Sequence, residues 1–267
     1  MFIGQELAHH PDYPYFQRLY IRLFGVPIVG LRIRARNVFS LIPRNRRYNE
    51  ILDAGSGFGV FSSQLARLFP QATVLGIDVL QDQVEAAECI RKKTGINNVR
   101  FKVADLVSLP DADRFDLALC IDILEHIQDD TAAIQGLYRA LAPKGILVLH
   151  VPALYRRYPI WKPSRNFDVE THVRTGYQLR EIEDKIRSAN FLIMESGYTY
   201  GFLETLANNL SFMITRARMQ NKHLYAFAFP ILNVLSWLGA RARPRELGAG
   251  IFIVAEKGKP ADVKPQQ

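Results

Sequence analysis

The sequence predicts an α/β fold: a doubly wound, mostly parallel sheet with a helical arm before it and a helical insertion before its last strand. Between residues 49 and 201, short apolar runs typical of buried strands alternate with segments of helical periodicity. The length of 267 residues and the 48% hydrophobic content suit one large domain with an insertion. Strands that alternate with helices in this way favour a parallel sheet.

Seven strands are predicted from these apolar runs. They are Asn49–Ala54, Ala72–Asp78, Val99–Asp105, Phe115–Asp122, Gly145–Val151, Phe191–Tyr200 and Gly250–Lys257. Helices are predicted between them at Val60–Phe69, Gln81–Lys93 and Asp130–Leu141, and a further helix, capped by Thr175, runs to Ala189. Gly95 is a normal C-terminal stop for the second helix.

Basic residues are concentrated in two stretches. Residues 14–48 hold eight arginines and no acid, and residues 205–245 hold five arginines, one lysine and no acid. Such an asymmetry indicates an anionic partner surface, either lipid or nucleic acid. We therefore divide the chain into a basic, aromatic arm or lid (1–48), a Rossmann-like domain (49–201), an apolar, basic helical insertion for lid or membrane contact (202–249), and the last strand with a polar tail (250–267).

The insertion contains Leu224–Ala240, seventeen residues without a charge. This is slightly short for a membrane span of about 20 residues, and polar residues and Pro230 interrupt it. If the flanking strands pair in one sheet, the chain between them must return to the side on which it started. A buried or interfacial helix is therefore expected.

Two scattered cysteines, Cys89 and Cys120, form neither a disulfide framework nor a zinc spacing. We therefore expect a reducing cytoplasm and no metal site. The first ten residues have neither a basic start nor an apolar run, so no signal peptide is expected. The expected location is the cytoplasm, with peripheral attachment to the inner face of the membrane.

The main motif is the run ILDAGSGFG at residues 51–59. A strand enters a turn with glycine at every second position, which permits positive φ and close approach of a ligand, and a helix N-terminus follows. Dinucleotide-binding proteins use G-x-G-x-x-G, whereas the spacing here is G-x-G-x-G. Asp53 precedes this turn, where a carboxylate repels a pyrophosphate but suits a cationic amino group, directly or through water.

Acids end the next two strands. Asp78 is placed to accept hydrogen bonds from both hydroxyls of a ribose, which also fits a nicotinamide nucleotide. Asp105 is placed to accept from an adenine amino group, and Leu106 to flank the ring. The carbonyls around Cys120 and Ile121, at the end of the fourth strand, are expected to line the mouth of the site.

Taken in order, D-x-G-x-G-x-G, GID, AD, FD followed by LEHI, and LxPKGxLxLxVP resemble the class I S-adenosylmethionine (SAM)-dependent methyltransferases, most closely the ubiquinone- and lipid-pathway branch. The resemblance covers roughly residues 49–200 and the final strand. It implies strand order 3-2-1-4-5-7-6 with the last strand antiparallel, and SAM, with S-adenosylhomocysteine (SAH) as product, across the carboxyl ends of strands one to four. The cofactor-binding residues are then Asp53, Gly55, Ser56, Gly57, Phe58, Gly59, Asp78, Val79, Ala104, Asp105, Leu106, Cys120 and Ile121. Ile121 departs from the small polar residue common at its position.

Methyl transfer from a sulfonium needs alignment above all, and a base only if the acceptor must lose a proton. The candidate catalytic bases are His126, after the fourth strand, and His172, in the loop after the fifth strand. His150 is expected to be a core or sheet-end residue. The sequence Cys120-Ile121-Asp122-Ile123 lacks the N/D-P-P-Y/F motif of enzymes that methylate planar amines.

The apolar, aromatic and arginine-rich attachments favour a small hydrophobic acceptor, such as a lipid or quinone, reached from an anionic membrane surface. An RNA methyltransferase is the alternative among enzymes, because basic arms also bind phosphate. A non-catalytic SAM-binding sensor or scaffold is the alternative of another class, because intact cofactor motifs do not prove turnover.

Overall fold

A seven-stranded sheet forms the centre of the fold. The computed structural model describes residues 3–109, 113–157, 162–166, 171–215, 221–240, 244 and 246–258. The strands are β1 (Glu50–Ala54), β2 (Thr73–Asp78), β3 (Val99–Val103), β4 (Phe115–Ile121), β5 (Leu141–Pro152), β6 (Tyr155–Arg157), β7 (Pro163–Arg165), β8 (Phe191–Thr199) and β9 (Gly250–Lys257). Of these, β6 and β7 form a separate antiparallel pair.

The order of the main sheet is β3-β2-β1-β4-β5-β9-β8. Counting only its own seven strands, this is 3-2-1-4-5-7-6, as the family resemblance implies. Strand β9 runs antiparallel to both of its neighbours, and the pairs among β1 to β5 are parallel. The parallel arrangement brings the carboxyl ends of β1 to β5 to one edge, where ligands bind in sheets of this kind.

The helices are α1 (Tyr15–Phe24), α2 (Val29–Leu41), α3 (Val60–Leu68), α4 (Gln81–Thr94), α5 (Asp130–Ala140), α6 (Leu179–Ser188), α7 (Phe202–Thr215) and α8 (Lys222–Leu238), with short 3-10 helices η1 (Gln5–His9) and η2 (Leu124–His126). The expected cap at Thr175 is wrong. Gln178 and Glu181 cap α6 reciprocally, each side chain bonding to the other residue's backbone N–H.

Apolar side chains fill both faces of the sheet. On one face, residues of α5 and α6 such as Ile134, Leu137 and Ile182 are fully buried. On the other, Val38 of α2 and Leu65 of α3 pack against the strands. Helices on both faces of a mostly parallel sheet confirm the predicted doubly wound fold class.

The N-terminal arm and the insertion pack on each other. Ile33 of α2 and Phe229 of α8 share one buried cluster. Arg32 is also buried there: its Nε donates to a backbone carbonyl, and its guanidinium lies 4.8 Å from the centre of the Phe229 ring. Burial lowers the pKa of Arg32 to about 10, with Arg36 adding to the effect. Arg36 pairs with Glu204 at 3.3 Å, so these arginines serve internal packing.

The uncharged segment Leu224–Ala240 is helical through Leu238, with Pro230 inside the helix. One face of α8 is buried, and the other exposes large apolar side chains, among them Phe227, Ile231 and Trp237. Among the described residues, no helix is both long and apolar enough to cross a bilayer. The five arginines of the stretch 205–245 lie outside the described residues.

Candidate active site

The turn after β1 presents bare backbone at the carboxyl edge of the sheet. Gly55, Gly57 and Gly59 have φ values of 78°, 51° and 78°, a left-handed conformation that favours glycine. The Gly55 N–H donates to the Ile77 carbonyl at 2.8 Å, which holds the turn against β2. A Cβ on Gly55 would lie 2.0 Å from the Ile123 side chain, so this position has no room for one.

Two carboxylates beside the turn are held by backbone donors. Asp78 accepts hydrogen bonds from the N–H groups of Gly57 at 2.9 Å and Leu80 at 3.0 Å. Asp105, after β3, accepts from the N–H of Val107 at 2.9 Å. Both acids are therefore oriented before any ligand binds, and both have further lone pairs for hydroxyl or amino hydrogens.

A cavity of about 470 Å³ opens along this edge, a size typical of small-molecule sites. Seven of the predicted cofactor residues line it: Gly55, Gly57, Asp78, Val79, Ala104, Asp105 and Leu106. The remaining lining residues are Ile77, Leu80, Gln83, Ile123, His126, Ile127 and Thr171. The motifs GID and LEHI also contain two apolar residues of this wall, Ile77 and Ile127, which were not among the predicted cofactor residues.

The other predicted cofactor residues do not line this cavity: Asp53, Ser56, Phe58, Gly59, Cys120 and Ile121. Cys120 and Ile121 are buried in β4, and Ile123 lies at the cavity instead. The Phe58 ring packs edge-on to His10 of the arm, with 4.9 Å between the ring centres. Phe58 therefore contacts the N-terminal segment.

Asp53 is the penultimate residue of β1, just before the glycine turn, and it is buried. The Ser62 hydroxyl donates to its carboxylate at 2.5 Å. Burial raises the pKa of Asp53 to about 6, although the Ser62 hydrogen bonds act in the opposite direction. We propose that the ionised form of Asp53 stabilises the ammonium group of a bound methionine moiety, directly or through water.

A second cavity, of about 370 Å³, adjoins the first, and His126 lines both. Its wall comes from α2, α7, the ends of β4 and β5, and the loop before α6. The lining residues are Gly30, Arg34, Asp122, Glu125, His126, His150, Pro152, Arg156, Asn166, His172, Thr175, Tyr200, Asn208, Phe212 and Ala249. Most of these residues have polar side chains, although the attachments that cover the cavity are apolar on their outer faces.

Asp122, directly after β4, connects the arm to the sheet inside the second cavity. Its carboxylate pairs with Arg34 at 2.5 Å and with Nδ1 of His150 at 2.6 Å. Nε2 of His150 shares a hydrogen bond with the Thr199 hydroxyl at 2.9 Å. Burial opposes ionisation, but Arg34 and His150 together lower the pKa of Asp122 to about 2. His150 thus lies at the end of its strand, as expected, while the partnership of Asp122 with Arg34 was not predicted.

The two candidate bases, His126 and His172, contact each other. Their ring centres are 4.5 Å apart and the rings are nearly perpendicular, at 84°. Nδ1 of His126 hydrogen-bonds to the Thr171 carbonyl at 3.0 Å. The Glu125 side chain, 1% exposed, lies beside both histidines. Residues from two separate loops therefore meet where the two cavities join.

A parallel sheet with a glycine turn after its first strand, and with acids after the next two, defines a nucleoside-binding α/β protein. Residues 47–199 match the family model described as a methyltransferase domain. The chain belongs to this family, the class I SAM-dependent methyltransferases. The cofactor of the family is S-adenosyl-L-methionine.

Two curated relatives show the range of this family. Over 122 residues the chain is 35% identical to trans-aconitate 2-methyltransferase of Deinococcus radiodurans, covering 45% of this chain and 43% of the relative. Over 103 residues it is 30% identical to ubiquinone biosynthesis O-methyltransferase of Psychrobacter cryohalolentis, covering 38% and 39%. The chain thus spans less than half the length of these relatives.

Solved structures share the fold. Phosphoethanolamine N-methyltransferase 2 of Haemonchus contortus, in complex with SAM, matches with a TM-score of 0.62 and 17% identity, covering 97% of this chain and 61% of that chain. Geranyl diphosphate methyltransferase, in complex with GPP and sinefungin, matches with a TM-score of 0.56 and 15% identity, covering 84% and 77%. At these identities the likeness establishes the fold alone.

The glycine turn can be tested with matched glycine variants. Gly55→Ala should lower SAH affinity at least about tenfold, because the added methyl overlaps Ile123 and the backbone is strained. Gly95→Ala has a similar positive φ of 68° but nothing within 4 Å, so it should lower stability with SAH affinity unchanged. Calorimetric titration with SAH and thermal unfolding measure the two effects. Equal losses of affinity in both variants would contradict this role of the turn.

The pH dependence of SAH binding tests Asp53. Its carboxyl is neutral below its pKa of about 6, and only the ionised form attracts the ammonium group. Affinity should therefore rise as pH rises through 6, by up to about tenfold per pH unit, and level off above. Asp53→Asn should remove most of this rise. Asp116→Asn, at the opposite end of the sheet, is the control. An unchanged pH profile in Asp53→Asn would refute the proposed ammonium contact.

Proposed function

We propose that this protein transfers the methyl group of SAM to a small, mainly hydrophobic acceptor, such as a lipid or quinone, whose polar reacting end enters the second cavity. The observation that carries this proposal is the pair of adjoining cavities with His126 between them. When bound, SAM supplies a methyl group that is activated by its bond to a sulfonium sulfur. After the transfer, the rest of the cofactor leaves as a neutral thioether. The work left to the protein is alignment, exclusion of water and, for a hydroxyl acceptor, removal of one proton.

The residues around the first cavity suit the alignment step. Asp78 is placed for the ribose hydroxyls and Asp105 for the adenine amino group, and the glycine turn admits the methionine part. Holding donor and acceptor in an in-line arrangement supplies roughly 7–11 kcal/mol of the barrier reduction. His126 and His172 are placed to accept a proton from a phenol or alcohol in the second cavity.

The outer faces of α1 and α8 support a membrane location. Phe16 is 82% exposed, Phe227 84% and Trp237 64%. The Tyr20 hydroxyl of α1 donates to a backbone carbonyl of α8 at 2.6 Å, so the two helices are in contact. Arg22, in the last turn of α1, is also exposed. Aromatic and aliphatic side chains with nearby cations suit an interface with anionic lipid.

The RNA alternative rested on the basic arm. Arg32, Arg34 and Arg36, three arginines of that arm, instead bind a backbone carbonyl, Asp122 and Glu204 within the fold. Phosphate binding by these side chains would require those contacts to break. These three arginines therefore give no support to the RNA alternative.

A screen with isotopically labelled SAM tests the activity. The protein is incubated with cell extract, and labelled products are separated into lipid, aqueous and nucleic acid fractions and identified by mass. A labelled product in the lipid fraction is expected, and it should be absent with Asp78→Ala. Label in RNA would establish the rival enzyme. SAH binding without any labelled product would favour a sensor or scaffold.

Flotation with anionic vesicles tests the membrane location. The wild-type protein should float with the vesicles at low and moderate salt. Phe227→Asp should reduce binding at least about tenfold, since burial of one such side chain contributes about 1.5–3 kcal/mol. Met194→Asp replaces an exposed residue of β8 and should float like the wild type. Failure of the wild type to float, or equal flotation of Phe227→Asp, would contradict the membrane location.

A further inference from the structure

Three side chains with metal-binding atoms converge at the junction of the two cavities. One ligand atom each from Glu125, His126 and His172 lies within 4.8 Å of the other two. Glu125 and His126 belong to the short helix η2, which follows β4. His172 comes from the loop before α6, and the Val173 N–H donates to the Glu125 carbonyl at 2.9 Å. The bond from His126 to the Thr171 carbonyl holds the same two segments together.

Two buried polar atoms in this cluster have no hydrogen-bond partner. They are Oε2 of Glu125 and Nδ1 of His172. Glu125 is 1% exposed, so water in bulk does not reach its carboxyl group. Buried polar atoms nearly always have a hydrogen-bond partner, so an unpaired one indicates a binding position for an ion, a water or a ligand group. Two such atoms in one cluster of metal-binding side chains point to a cation.

We propose that Glu125, His126 and His172 bind one divalent cation of the zinc class. Two imidazoles and one carboxylate are the ligand set of open, catalytic zinc sites, in which the fourth position takes water or substrate. The bond of His126 Nδ1 to a carbonyl makes this atom the N–H donor and leaves Nε2 with the lone pair for the metal. Metal-bound histidines are commonly oriented in this way by a backbone carbonyl.

The charges around the cluster are compatible with a bound cation. Arg34 is the nearest described cation on α2, and its charge is offset by the ion pair with Asp122. On the other side, Arg174 is paired with Asp130. Both arginines are therefore engaged with carboxylates, and the Glu125 carboxylate remains for the metal.

This inference rests on the proposed function for its chemical role. All three side chains line the second cavity, so a cation bound by them would adjoin the space proposed for the acceptor. An acceptor hydroxyl bound there would release its proton to water at a lower pH than a free hydroxyl does. Its oxygen then bonds to the methyl carbon as the carbon–sulfur bond breaks and the neutral thioether leaves. The cation keeps its charge, and no oxidant or reductant is needed.

Metal titration of the full chain tests the site directly. After treatment with a chelator and its removal, the protein is titrated with Zn²⁺ against a chromophoric competitor, and with Co²⁺ followed by visible absorption. The wild type should bind about one equivalent tightly. His172→Ala and Glu125→Gln should each weaken binding at least about 100-fold, because even the outer partners of metal ligands contribute about 10- to 100-fold.

Three controls make the result decisive. His223→Ala removes an exposed histidine outside the cluster and should bind Zn²⁺ like the wild type. His172→Ala should retain SAH affinity, because His172 does not line the first cavity, and this retention shows that the variant is folded. A large excess of Mg²⁺ should not displace Zn²⁺, since Mg²⁺ prefers oxygen ligands. Wild-type binding no tighter than that of His172→Ala, or displacement by Mg²⁺, would overturn the site.

The Zn²⁺ titration and the screen with labelled SAM test the metal site and the proposed function separately. Labelled product from protein that binds no Zn²⁺ would remove the metal site and leave methyl transfer intact. Tight Zn²⁺ binding that depends on His172, without any labelled product, would retain the site and remove the proposed function.

Discussion

The bonds from the Asp78 carboxylate to the N–H groups of Gly57 and Leu80 are the constraint on which the edge of the first cavity depends. They join the turn after β1 to the end of β2, so neighbouring parallel strands present one continuous edge. Because the acid is oriented by backbone rather than by mobile side chains, little reorganisation is needed on binding. Glycine at position 55 is part of the same constraint, since a side chain there would occupy the space of Ile123.

A second constraint links the N-terminal arm and the insertion to the second cavity. Asp122 holds Arg34 of α2 and His150 of β5 at the same time. A buried ion pair is costly to desolvate, and the second partner helps to offset that cost. Helix α2 in turn packs on α8 through Ile33 and Phe229. Packed side chains therefore connect α8 through α2 to the wall of the second cavity.

Local patterns were sufficient to predict the sheet and the glycine turn after β1. The apolar run Gly250–Lys257 became β9 with the same bounds, because a strand buried on both faces has few alternatives. The cap of α6 was missed, since a reciprocal bond between Gln178 and Glu181 outweighed the usual preference for threonine. Contacts such as Arg34 with Asp122, 88 positions apart, depend on how helix α2 packs, and no local pattern encodes that.

His126 cannot act as a general base and as a metal ligand at the same time. Its Nδ1 is engaged with the Thr171 carbonyl, so Nε2 is the atom left to accept a proton or to bind a cation. If both histidines act only as bases, Oε2 of Glu125 stays buried without a partner, which is costly for any polar group. A cation satisfies that oxygen and the free nitrogen of His172 together, and it still promotes loss of the acceptor proton. The metal-bound arrangement therefore accounts for more of the observed geometry than a pair of bases does.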